Sequence, residues 1–145
     1  MQRLLRVVLV LGMAGTLAEL ILLEHTDDYW QKLPLALLAA GIVVVVGHGF
    51  SPGRLTRMIV AVCMVLFLAA GSIGLYQHVA GNREFELEIN ASRHGWELTW
   101  DTLKGATPAL APGTLIYLGL LGLACIKAER AASRLVPRTP IRRKN

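Results

Sequence analysis

Long apolar runs separated by short polar segments dominate the pattern of this chain. A helix of about 20 residues is about 30 Å long, which matches the hydrocarbon thickness of a bilayer. Backbone groups in lipid must be paired within their own segment, so we predict a helix even for the valine block at residues 43–46. The predicted spans are residues 4–23, 33–50, 55–78 and 109–127.

The first run begins like a signal peptide, with Arg3 and Arg6 ahead of an apolar core. It continues past Ala18 to Leu23, which is longer than the apolar region of a typical signal peptide. We therefore predict a retained membrane span.

Proline and serine mark the expected starts of the next two helices. The second helix is predicted to begin at Leu33, with Pro34 in its first turn, where a missing N–H costs little. Ser51 is expected to cap the third helix, with Pro52 at the first helical position.

The longest polar segment, residues 79–107, has two interpretations. As strands, residues 85–89 and 96–100 alternate apolar with polar positions. As a helix, residues 95–104 place Trp96, Trp100 and Leu103 on one face, and Gly105 ends the helix. We predict the helix, lying at the membrane interface with its tryptophans toward lipid or toward the other helices. Residues 83–90 are predicted to extend the third helix or to form an irregular connection.

Composition supports an all-α integral membrane four-helix bundle over residues 1–136, followed by a basic tail at 137–145. Of the 145 residues, 54% are hydrophobic and 17% are charged, whereas a soluble domain carries about a quarter charged residues. The length leaves no room for a separate soluble catalytic domain. The chain contains no phosphate-binding loop, nucleophile elbow, HExxH or haem-attachment motif, so we predict no enzyme activity and no cofactor.

The distribution of basic residues predicts the orientation. With the N-terminus in the cytoplasm, eleven of the 15 Lys and Arg residues lie on the inner side. The positive-inside rule then places both termini in the cytoplasm, and we expect a bacterial inner membrane. The C-terminal cations are expected to contact anionic lipid, and no aromatic or folded surface accompanies them that would bind nucleic acid. These cations are Arg130, Arg134, Arg138, Arg142, Arg143 and Lys144.

Ionisable groups cluster where the first and third spans reach the predicted outer side. An acid within a span, such as Glu19, is by default a functional candidate. Carboxylates with imidazoles suit Zn²⁺, Mn²⁺, Fe or Cu, but the Glu-x-x-His repeats of di-metal bundles are missing from the sequence. The interpretations left open are a polar cap on the bundle, a metal site and a proton site. The candidate cluster is Glu19, Glu24, His25, Asp28 and His78.

Several other residues receive structural roles. Aromatic side chains are expected to anchor the outer interface; these are Tyr29, Trp30, Trp96 and Trp100. His48 stands between two glycines at the inner end of the second span and is predicted to anchor a turn. Cys63 and Cys125 are expected to be buried free thiols, since the predicted inner side faces a reducing compartment.

Three stretches, EHTDDYWQKLP (24–34), HVAGNREFELE (78–88) and GATPALAPG (105–113), resemble segments of small four-span bacterial inner-membrane proteins of unknown function. The resemblance implies the four-span topology, and it implies no activity or ligand. It also suggests that the outer segments carry what these proteins share.

The predicted function is that of a non-catalytic accessory or assembly subunit of a bacterial inner-membrane complex. Its partners would be other integral membrane proteins or a second copy of itself, contacted through small-residue helix faces and the acidic outer loop. Candidate small-residue positions are Gly71, Gly74, Gly119 and Gly122. The alternative is a small transporter or metal-handling protein that uses the acid and histidine cluster.

Overall fold

The computed structural model describes residues 2–105, 107–108 and 111–135. Within these ranges the chain is all-α, as predicted, and the strand interpretation of the polar segment is wrong. The helices are α1 (Gln2–Leu22), α2 (Tyr29–Phe50), α3 (Arg54–Ile89), α4 (Gly95–Lys104) and α5 (Gly113–Leu135).

The second helix starts four residues earlier than predicted. The Asp28 side chain accepts a hydrogen bond from the Gln31 backbone N–H at 2.8 Å and so caps α2 at Tyr29. Pro34 therefore lies inside the helix, beyond its first turn. Ser51 is the C-cap of α2 and does not cap α3, which begins after Gly53.

The third helix is a single segment of 36 residues that continues through the polar positions 77–89. This resolves the two alternatives for residues 83–90 in favour of a helical extension. The fourth helix has the predicted bounds and ends before Gly105.

Four of the helices contact one another in a closed ring, in the order α1, α2, α3, α5 and back to α1. The fully buried side chains Leu9, Met13, Leu38, Met64 and Phe67 fill its centre. The shorter α4 packs against α3. Helix α3 is thus the central element, since it contacts α2, α4 and α5.

Close approach of α3 to α5 depends on glycine. A Cβ atom on Gly71 would lie 2.9 Å from the Ile116 backbone nitrogen, and one on Gly119 would lie 2.8 Å from the Met64 carbonyl oxygen. Backbone atoms cannot move aside as a flexible side chain does, so these positions require glycine.

Helices α1, α2 and α3 are each long and apolar enough to cross a membrane, and this indicates a membrane protein. Their outward faces carry large apolar side chains, as lipid-facing surfaces do. Examples are Leu4, Leu11, Val43, Val62 and Val65. The first two residues of the fourth predicted span, 109–127, lie outside the described residues. The basic tail at 137–145 lies wholly outside them.

Candidate functional site

The residues of the predicted acid and histidine cluster lie on α1, in the α1–α2 connection and on α3. Glu19 is exposed on α1, and Glu24 is exposed in the α1–α2 connection, where its φ of 52° is unusual for a residue other than glycine. Asp28 is the α2 cap, whereas His25 and His78 are half-buried on different elements. In the described part of the chain, no three His, Cys, Asp or Glu side chains are placed to hold a metal ion.

A different histidine is the centre of a buried polar cluster. His48 is 2% exposed and lies near the end of α2. Its Nε2 lies 2.9 Å from Oε2 of Glu129 on α5, and its Nδ1 lies 2.8 Å from Oγ1 of Thr56 on α3. Nε of Arg6 on α1 lies 3.7 Å from the other Glu129 oxygen. Each helix of the ring contributes one side chain to this group, which we call the His48 cluster.

The helix termini position the His48 cluster. Helices α1 and α3 begin near the cluster, α2 ends there, and Glu129 lies six residues before the end of α5. Thr56 lies in the first turn of α3, where its Oγ1 accepts a hydrogen bond from the Gly53 N–H at 3.0 Å. Its hydroxyl also lies 3.1 Å from the Ser51 carbonyl, so the α2–α3 turn fixes the group that faces the imidazole.

The side chains of the His48 cluster differ in their exposure to solvent. The side chains of Glu129 and Arg6 are 13% and 23% exposed, so both lie closer to water than the His48 ring does. A small cavity of about 10 Å³ lies beside them and is also lined by Cys125. That volume is at the lower limit for one water molecule.

A second polar cluster stabilises the opposite end of the molecule. Asn82 of α3 is 3% exposed, and its Nδ2 donates to the carbonyl oxygens of Thr102 at 3.0 Å and Thr107 at 2.8 Å. Its Oδ1 accepts from the backbone N–H of Thr107 at 3.1 Å and from the Thr107 hydroxyl at 2.7 Å. This Asn82 network fixes the end of α4 and the segment that follows it.

Ion pairs also join α4 to α3. Arg93, in the connection between the two helices, pairs with Glu86 of α3 and lies 3.4 Å from Asp101 of α4. Gly95 starts α4 with a φ of 61°, a conformation that glycine adopts readily. We refer to residues 77–104 as the α3–α4 hairpin.

Two tryptophans lie on the exposed side of this hairpin. Leu98 and Thr102 are the buried side chains of α4, whereas Trp96 and Trp100 are 73% and 50% exposed. The tryptophan rings stack at 6.1 Å between centroids, and Nζ of Lys104 lies 5.5 Å from the Trp100 ring centre. The sequence left the direction of these rings open, and they face away from the other helices.

The predicted interfacial aromatics Tyr29 and Trp30 and the described C-terminal cation lie on the surface, whereas the two predicted thiols are buried. Tyr29 and Trp30 are exposed at the start of α2, and Arg130 is exposed on α5. The side chain of Arg134 and residues 138–144 are outside the described part of the structure. Cys63 and Cys125 are buried free thiols, as predicted.

Sequence reasoning missed the pairing of His48 with Glu129, which are 81 positions apart. A signal was nevertheless available. In the predicted topology, Glu129 is the only acid on the inner side, and His48 lies at the same level. A single acid and a single histidine at one depth in an apolar bundle are natural partners.

No protein-family model, no curated protein and no solved structure matches this chain.

Proposed function

We propose that this chain is a non-catalytic subunit of a bacterial inner-membrane complex, with α5 as its fourth span and both termini in the cytoplasm. It binds a partner membrane protein through the α3–α4 hairpin. The observation that carries this proposal is the exposed, stacked pair Trp96 and Trp100 on a braced hairpin. Tryptophan is enriched among the residues that dominate binding energy at protein interfaces.

The length of α3 supports a position of the hairpin outside the membrane. Its 36 residues span about 54 Å, against a hydrocarbon core of about 30 Å. The apolar part of α3 ends near Tyr76, so the following 13 residues, Gln77 to Ile89, extend about 20 Å further. Helix α4 packs along this extension, which favours a protein partner over the interfacial position predicted from the sequence.

Pre-organisation supports binding by the hairpin. The Asn82 network and the Arg93 ion pairs hold the tryptophans on a fixed frame before any partner arrives. Less conformational entropy is then lost on association than for a loop that must first become ordered. The exposed acids Glu84, Glu88 and Glu97 surround this frame, so we expect a partner surface with basic groups at its edge.

The glycines of α3 and α5 also favour the hairpin as the surface that binds the partner. Gly71, Gly119 and Gly122 face other helices of the same chain, and Gly74 faces Pro112, just before α5. Their close-packing surface is occupied inside the bundle, so the proposal assigns partner contact to the hairpin and not to these faces.

A photo-crosslinking experiment in intact membranes tests the proposal. The photoreactive residue p-benzoylphenylalanine replaces Trp96 in one variant and Tyr29 in a matched control, since Tyr29 is also an exposed aromatic (91%). We expect position 96 to crosslink to one integral membrane protein and position 29 to give no such product. The double variant Trp96→Ala/Trp100→Ala should weaken co-purification in mild detergent by tenfold or more.

Two results contradict the proposal. One is a detergent-purified chain that has the mass of a single 15.8 kDa polypeptide and gives no protein crosslink at position 96. The other is crosslinking at position 96 to lipid alone, which would restore the tryptophans to an interfacial role.

A further inference from the structure

We infer that His48 and Glu129 form a proton-binding site, with Thr56 as its switching hydrogen-bond partner, and that the bound proton ties α2 to α5. The site lies at the end of the bundle opposite the α3–α4 hairpin and is independent of partner binding there.

The Glu129 carboxylate determines the protonation of Nε2 in the His48 ring. An ionised Glu129 can only accept hydrogen bonds, so Nε2 of His48 must carry a hydrogen and donate it across 2.9 Å. The Arg6 guanidinium, which stays charged, lies 3.7 Å from the other carboxylate oxygen. One Glu129 oxygen thus accepts a hydrogen bond from His48, and the other faces the Arg6 cation.

The other ring nitrogen, Nδ1, can form a hydrogen bond with Thr56 in either protonation state. In the neutral ring, Nδ1 accepts a hydrogen bond from the Thr56 hydroxyl across 2.8 Å. In the protonated ring, Nδ1 donates to the same Thr56 oxygen, and the hydroxyl hydrogen turns toward the Ser51 carbonyl at 3.1 Å. A proton is therefore taken up from water onto Nδ1 by rotation of one hydroxyl, without loss of any ring hydrogen bond.

Ionisable groups on two of the neighbouring helices face the ring. Helix α5 presents the Glu129 carboxylate and the Cys125 thiol, and α1 presents the Arg6 cation, which opposes protonation from beyond the carboxylate. Helix α3 contributes Thr56 and Val60, and neither side chain titrates. Glu129 contacts the ring directly, with 2.9 Å between Oε2 and Nε2, whereas Arg6 lies beside the other oxygen of the carboxylate.

The proton has a route to the site and a consequence there. His48 is almost completely buried, whereas Glu129 and Arg6 are partly open to water, so the proton enters along Glu129. Protonation changes a hydrogen bond between a neutral ring and a carboxylate into a hydrogen-bonded ion pair, which adds the attraction between two opposite charges. The contact between the ends of α2 and α5 is therefore tightest when His48 is protonated and Glu129 is ionised.

The test follows the ring nitrogens directly. A variant with His25, His78 and His94 replaced by glutamine leaves His48 as the only histidine of the four in the chain. Its ¹⁵N-labelled ring is titrated by NMR in detergent micelles over about pH 5 to 8, the range in which histidines change charge. We expect a reversible change from one protonated ring nitrogen to two.

Substitutions then assign the charge that binds the proton. Glu129→Gln keeps the shape and removes the carboxylate, so we expect the proton affinity of the ring to fall at least tenfold. Thr56→Val removes the acceptor for the second N–H and should lower that affinity in the same direction. Glu86→Gln is the matched control, because it removes a paired carboxylate at the opposite end of the molecule and should leave the His48 signals unchanged.

Either of two results overturns the inference: a His48 ring that keeps one protonated nitrogen over the whole range, or a titration that Glu129→Gln does not alter. If the Glu129 variant fails to fold, the titration of the chain with an intact Glu129 decides alone.

Discussion

The two ends of this molecule are each held by a buried polar side chain, but the chemistry of the two differs. At the hairpin end, Asn82 joins α3 to Thr102 and Thr107 through neutral amide, hydroxyl and backbone groups. At the opposite end, His48 joins α2 to α5 through an ionisable pair, Glu129 and the imidazole. Both networks connect segments that are distant in sequence.

This chemistry determines how each end responds to pH. A neutral network has no proton to gain or lose between about pH 5 and 8, so it holds one geometry under all such conditions. An ionisable pair changes its strength with proton occupancy and so can respond to the solution around it. The hairpin is thus suited to present a fixed surface, and the His48 end is suited to vary.

The largest expected effect comes from breaking the neutral network. Asn82→Leu removes the hydrogen-bond partner of the buried Thr102 carbonyl and of the more exposed Thr107 carbonyl and N–H. We expect the free energy of local opening of α4 to fall by about 3 kcal/mol, since each unpaired buried group costs roughly 1–3 kcal/mol. Amide hydrogen exchange in residues 95–107 measures this change.

Asn90→Leu is the matched control for that substitution. Asn90 is exposed, and among the described residues its side chain bonds only to Ser92, two positions along the chain. Opening of α4 should therefore change by less than about 1 kcal/mol. Equal losses in the two variants would show that Asn82 is no more than a surface cap.

A smaller effect is expected from crowding the same network. A Cβ atom on Gly105 would lie 2.6 Å from Cγ of Asn82, whose amide is already held by its hydrogen bonds. Gly105→Ala should therefore destabilise the hairpin by about 2 kcal/mol, as overpacking does. Gly81 has no atom within 4 Å of such a Cβ, so Gly81→Ala should instead stabilise α3 by about 0.5–1 kcal/mol. Urea unfolding in micelles measures the change in the free energy of unfolding for both variants. A change of the same sign in the two variants would contradict the close packing at Gly105.

Helix positions were largely predictable, because apolar runs and amphipathic spacing are local properties. Residues 95–104 illustrate this, since their pattern gave the bounds of α4. The start of α2 was not predicted, because the polar and aromatic residues 29–32 look like a loop until Asp28 caps them. The length of α3 was left open because charged positions beyond a span are compatible with a helix or a coil.

The polar clusters were not predictable in the same way. Asn82 and Thr107 are 25 positions apart, and nothing local marks either residue as a partner of the other. The contact of α1 with α5 closes the helix ring and brings Arg6 to Glu129, and sequence order alone does not specify which helices are neighbours. The depth of a residue in the membrane is predictable from sequence, and equal depth could have suggested the contact between His48 and Glu129. Depth alone does not predict that Thr56 contacts the ring.

A change of pH should have the smallest effect, and thiol labelling measures it at the His48 end of the molecule. Cys125 lines the cavity beside His48, and Cys63 is an equally buried thiol on α3 away from that cavity, so the second corrects for the general pH dependence of thiol labelling. The ratio of Cys125 to Cys63 labelling should rise up to about fivefold from pH 6 to pH 8, because loss of the His48 proton weakens the α2–α5 contact by at most about 1 kcal/mol.

Two further measurements decide whether that change belongs to the ionisable pair. In Glu129→Gln the labelling ratio should stay constant, because no ion pair remains to be lost. Hydrogen exchange at Thr107, corrected for its intrinsic pH dependence, should also stay constant in the unmodified chain, because no group of the Asn82 network titrates. If exchange at Thr107 follows the labelling ratio, the two ends open together, and the contrast between a fixed end and a responsive end is wrong.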